Sequence, residues 1–117
     1  MSTQKNENEL YLVLQKKWFL EILKGEKKEE FRAFTDFYMD RLCLFNDAGD
    51  WVDVKKFDAV RFQLGYTKNA PQILVEFKEI TLEVDEKDES EELNSENCNF
   101  VIHLGEILEK INCESLN

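Results

Sequence analysis

The chain has 117 residues, 43% hydrophobic and 12% aromatic with nine Phe, which is core material enough for one domain and excludes a chain disordered along most of its length. Its formal net charge of −10 arises entirely from residues 79–117, where twelve Asp and Glu face two Lys and Arg, whereas residues 1–78 carry thirteen of each sign. That balance excludes a protein that tracks along an extended nucleic-acid backbone, which needs a basic excess, and leaves room for a local basic patch.

Residues 1–9 are polar and lack an apolar h-region, and no later stretch approaches the roughly 18 apolar residues of a membrane span. The expectation is a soluble, cytoplasmic protein with a polar N-terminal extension over residues 1–9. Three cysteines, Cys43, Cys98 and Cys113, are odd in number and far apart, so reduced thiols are expected and no metal or cofactor is called for.

Leu10 to Leu14 is a short apolar, β-prone run, which predicts a strand buried on both faces. From Lys16 the period changes. Trp18, Phe19, Ile22 and Leu23 form one stripe of an amphipathic helix, with Trp18 and Phe19 as core residues, and Gly25 supplies its stop. In the following GEKKEEFR corner, Lys28, Glu30 and Arg32 alternate with Glu29, Phe31 and Ala33, so a strand here puts the charges on one face and Phe31 toward the core.

Asp36 to Phe45 has Phe37, Tyr38, Leu42 and Phe45 near helical spacing, with Thr35 placed to cap the start, and residues 46–50 are turn formers. Residues 57–62 and 72–84 read as two strands that pair across a Gly, Asn and Pro-containing connection. Eight acidic residues and one Lys in residues 83–97 predict a solvated loop, or, in a function built on charge, a surface that docks a basic partner. Phe100 to Gly105 reads as a closing strand containing the single histidine, His103, and Glu106 to Ile111 as a short helix. His103 has no Cys or acid at ligand spacing, so no metal role is assigned to it. The residue pattern alone gives a single-domain α+β protein.

The element order and the corner motif together resemble the ASCH family, small β-barrel domains related to the RNA-binding PUA fold. The family's signature is similar to G-x-K-x-x-E-x-R after the first helix, present here as Gly25, Lys27, Glu30 and Arg32. Residues 57–62, Gly65-Tyr66 with Asn69-Ala70-Pro71, and residues 100–107 also look like ASCH segments, so the likeness spans an ASCH domain over 10–111 with 83–97 as an acidic loop within it.

The resemblance implies a PUA-like β-barrel of about five to six strands with flanking short helices, and a cleft at the corner for a nucleotide or RNA. Family members include amidohydrolases acting on acylated cytidines such as N4-acetylcytidine, and others linked to RNA cleavage. It therefore implies nucleotide or RNA binding through Lys27, Glu30 and Arg32, and, as an alternative, a hydrolase or RNase with Lys27 and Glu30 as catalytic groups. In the amidohydrolase branch the position of Glu30 is a threonine, so binding is the leading expectation. On chemistry, Arg61 suits a phosphate, Tyr66 a stacked base and Asn69 a base edge. Oligomeric state is left open, and neither membrane nor extended duplex DNA is an expected partner.

Overall fold

The computed structural model describes residues 8–87 and 92–116. The expected extension over residues 1–9 therefore lies mostly outside the described residues, as does the middle of the acidic segment, residues 88–91. In chain order the elements are β1 (Glu9–Leu14), α1 (Lys16–Leu23), β2 (Glu29–Ala33), α2 (Asp36–Leu42), β3 (Cys43–Phe45), β4 (Trp51–Val54), β5 (Ala59–Leu64), β6 (Gln72–Val84), β7 (Cys98–Ile111) and a terminal 3-10 turn (Glu114–Leu116). The class is α+β, with a five-stranded sheet ordered β1-β5-β6-β7-β2 and a two-stranded sheet of β3 and β4. β1 and β2 lie at opposite ends of that order, and the sheet is not closed. No helix among the described residues is long and apolar enough to cross a membrane.

The chain packs as two compact units, each assembled from separate stretches of sequence. Among the described residues, the first takes those up to Lys28, Phe57–Lys78 and those from Leu104; the second takes Glu29–Lys56 and those from Glu79 to His103.

In the first unit β1 pairs parallel with β5, and β5 pairs antiparallel with β6 as the turn residues between them predict. β1 is buried on one face only: Leu10, Leu12 and Leu14 enter the core, whereas Tyr11 is exposed. A strand at the end of a sheet, with one neighbour, has less to cover its second face than the expected central position would give. Leu12, Phe19, Ile22, Val60, Phe62, Ile73 and Val75 fill this core. Phe19 and Ile22 are the buried residues of α1, while Trp18 is 39% exposed and stands outside the core expected for it.

Gly25 ends α1 with φ 79°, and the amides of Gly25, Glu26 and Lys27 return to the carbonyls of Ile22, Glu21 and Glu21 at 2.9, 2.9 and 3.1 Å. The left-handed residue turns the chain so that otherwise unpartnered helix-end carbonyls are satisfied. Glu106 to Ile111 is the end of strand β7 and not a helix. Its Ile107, Leu108 and Ile111 fit helical spacing, but pairing along the strand carries β7 through to Ile111, with Glu106 and Leu108 exposed around half-buried Ile107.

In the second unit β2 pairs antiparallel with β7, Glu30 opposite Ile102 and Arg32 opposite Phe100. Thr35 caps α2 by accepting from the Tyr38 amide. The helix stops at Leu42, where the expected longer helix gives way to the β3–β4 hairpin. Asn46 closes that hairpin, its Oδ1 accepting from the amides of Ala48 and Asp50 at 3.0 and 2.9 Å. The described parts of the acidic segment carry hydrogen bonds of their own. Buried Asn97 accepts from the Asn94 amide at 2.8 Å and donates to the Glu92 carbonyl at 3.0 Å, and Asp85 donates its amide to the Asn97 carbonyl at 2.8 Å.

Cys43, Cys98 and Cys113 are free and buried, and burial pushes each thiol above its ordinary value of 9.0. The folded chain thus keeps thiol protons that the unfolded chain releases first. The associated stability is full below the unfolded value and declines as pH rises through it. Urea midpoints are expected to fall between about pH 8 and about pH 10, and to fall less in a variant with all three cysteines replaced by alanine.

Candidate functional site

The strand β2 carries the corner's charges in the opposite sense to that expected. Glu30 is 7% exposed and Phe31 is 44% exposed. The reason lies in the partner strand, whose residues Ile102 and Phe100, opposite Glu30 and Arg32, are fully buried; the pleat therefore carries Glu30 and Arg32 inward with them. A carboxylate taken from water needs a charged, hydrogen-bonded partner. Arg32 provides it, donating from Nε to Glu30 Oε2 at 3.0 Å, with Nη2 2.8 Å from the same oxygen.

The third nitrogen of that guanidinium, Nη1, donates to the Tyr38 hydroxyl at 2.7 Å, and its Cζ lies 5.6 Å from the Tyr38 ring centroid. Tyr38 meets Phe37 edge-on with centroids 4.9 Å apart, and Arg41 sits 5.6 Å from the Phe37 ring. Arg32, Tyr38, Phe37 and Arg41 form one array in which two guanidinium groups flank two rings. Its outermost ring, Phe37, is 60% exposed. The array follows from local sequence: α2 starts at the Thr35 cap, so Phe37 and Tyr38 share its first turn, and Arg41 lies four residues from Phe37 on the same side.

The other candidate residues belong to the first unit. Lys27 places its ammonium 5.1 Å from the Trp18 ring centroid, with Lys17 at 4.5 Å from the same ring. Two cations on one ring account for an indole that stays at the surface. Arg61 is committed to the sheet: it donates from Nε and Nη2 to Glu9 at 2.8 and 3.1 Å and from Nη1 to Gln72 at 3.0 Å. The Glu9 hydrogen bond, more than anything else, raises the Arg61 pKa further. Glu9, assigned from sequence to the polar extension, is thereby part of β1. Gln72 donates in turn to Gln63 at 2.8 Å, so the network ties β1, β5 and β6 together. Tyr66 is 86% exposed in the turn after β5, and Asn69 holds that turn with φ 57° while its carbonyl accepts from Asn112 at 3.3 Å.

Of the six residues singled out by sequence, then, Glu30 and Arg32 meet directly and Arg61 serves β-strand pairing. Sequence reasoning used Phe37 and Tyr38 only as evidence of helical spacing and did not single them out, with Arg41, as a recognition surface. The signal present was two adjacent rings and an arginine four residues from the first of them on one short capped helix. No group of three or more His, Cys, Asp or Glu among the described residues is arranged to hold a metal ion.

No protein-family model matches this chain, and neither the curated proteins nor the solved structures yield a match to it.

Proposed function

We propose that this chain is a cytoplasmic binding module for a nucleotide or a short single-stranded RNA, as the ASCH resemblance implies, built on the open five-stranded sheet. The observation that carries this reading is the array Arg32–Tyr38–Phe37–Arg41, in which two rings, the outer one exposed, are flanked by one guanidinium group each. Single-stranded nucleic acid is recognised by such alternation: the ring stacks a base, whichever base it is, and the cation meets the adjoining phosphate. Glu30 holds the Arg32 plane in a fixed orientation, which lowers the ordering cost of binding. In this reading Phe37 stacks a base, Arg41 meets phosphate, and Glu30–Arg32–Tyr38 supports the surface.

The charge balance of residues 1–78, thirteen of each sign, fits recognition of one or a few nucleotides, with stacking contributing more than counterion release. Fluorescence anisotropy with labelled single-stranded RNA tests this. Loss of one stacking ring costs about 1–3 kcal/mol, so Phe37→Ala is expected to weaken binding by roughly 5- to 150-fold. Arg41→Ala weakens it less, and added salt has a shallow effect. Equal affinity of Phe37→Ala and the parent, or no binding at millimolar protein, would reject the proposal.

A further inference from the structure

A second constellation in the same unit involves none of the residues of the array. Glu29 of β2 and His103 of β7 are register partners, with Glu29 Oε2 3.4 Å from His103 Nδ1. On the other side of the ring, His103 Nε2 lies 2.8 Å from Oγ1 of Thr81, in β6. Three strands thus line up a carboxylate, an imidazole and a hydroxyl around the chain's one histidine. In the Nδ1–H tautomer of the neutral ring, which the nearby carboxylate favours electrostatically, Nε2 is left to accept from the Thr81 hydroxyl. Such an order of groups activates a hydroxyl nucleophile, and it is recognised by geometry and role, not by sequence position. Both carboxylate and ring remain accessible, with side chains 50% and 28% exposed. Two residues along the same face, Phe31 stands opposite Val101, an apolar pair on the pleat next to the relay.

We infer that Thr81 is the nucleophile of an acyl-transfer site that hydrolyses esters of small apolar acids, independently of RNA binding. Thr81 Oγ1 attacks the acyl carbon while its proton passes to His103 Nε2. The bond from the acyl carbon to the alcohol oxygen then breaks, and the departing alcohol takes that proton. A water adds to the acyl-Thr81 ester, giving its proton to Nε2, and Oγ1 leaves with it to restore the hydroxyl. Ester and water become acid and alcohol. Thr81 and His103 are the catalytic residues, and Glu29 is a positioning residue that fixes the ring's tautomer.

The test is to incubate the full chain with p-nitrophenyl acetate, follow p-nitrophenolate release, and locate acetyl groups by peptide mass mapping. A burst with acetyl on Thr81 is expected. Thr81→Ser retains it, whereas Thr81→Val and His103→Gln lower acylation at position 81 by about a hundredfold or more, the usual contribution of a positioned base. Glu29→Gln slows acylation about tenfold while leaving the half-saturating ester concentration unchanged, a split that a purely structural role would not produce. Acetyl on lysines alone, or release by Thr81→Val at the parent rate, overturns the inference. Should Thr81→Val fail to fold, Thr81→Ser and His103→Gln decide it on the same readout: no acetyl at position 81 in the first, or undiminished acetyl on Thr81 in the second, overturns it.

Discussion

Replacing Glu30 with alanine is expected to lower the unfolding free energy by about 2–4 kcal/mol, measured as the shift in urea midpoint at constant m-value. Glu30 sits inward beside fully buried Ile102 and Phe100, and Arg32 directs two nitrogens at one of its oxygens. Removing the carboxylate takes that counter-charge from a guanidinium set among apolar neighbours, and the desolvated charge is the main cost. Arg32 keeps its bond to Tyr38 and is 15% exposed, which places the effect at or below the usual range for a broken buried pair. The double variant Glu30→Met, Arg32→Leu is expected to recover most of the loss, because two apolar side chains replace a pair whose attraction is offset by desolvation. A loss within about 0.5 kcal/mol for Glu30→Ala would mean that the pair behaves as an exposed surface bridge.

Phe19→Ala is expected to cost about 3–5 kcal/mol, the range for emptying a fully buried phenylalanine site. The eight residues of α1 are too few to hold a helix unaided, so its packing through Phe19 and Ile22 is what keeps it formed. The corner depends on the same packing, since the amides of Gly25, Glu26 and Lys27 bond to carbonyls of α1. Hydrogen exchange at these three amides should therefore accelerate in Phe19→Ala along with the fall in urea midpoint. Trp18→Ala, one residue away, gives up a surface ring with two lysines over it and should cost only about 1–2 kcal/mol. Equal effects at positions 18 and 19 would contradict the assignment of one ring to the core and the other to the surface.

Signals carried by neighbouring residues were legible in the chain itself: the stripe and glycine stop of α1, the Thr35 cap, and the turn chemistry that pairs β5 with β6. What depended on a distant partner was not. β3 is three residues long, and Leu44 and Phe45 extend the apolar spacing of α2 closely enough to pass for its last turn. The end of β7 reads as helix by spacing, and only pairing along the strand decides otherwise. At the corner, alternation put Glu30 and Arg32 on one face but left open which face was inward; the usual preference for burying Phe31 pointed the wrong way, and the buried residues of β7 settled it. Glu29, Thr81 and His103 are far apart in sequence and meet only because β2, β7 and β6 are neighbours in the sheet. The single histidine interrupting the apolar run over residues 100–104 was the visible hint.

The array of rings and arginines on β2 and α2 is the centre of the functional reading, and an NMR titration of the labelled chain with short single-stranded RNA probes it residue by residue. Saturable shifts are expected at the Phe37 and Tyr38 ring signals and at the Arg41 side chain, larger than those at Tyr66 or Asn69 in the turn after β5. Shifts confined to that turn, or none at saturating RNA, would contradict the binding role given to the array.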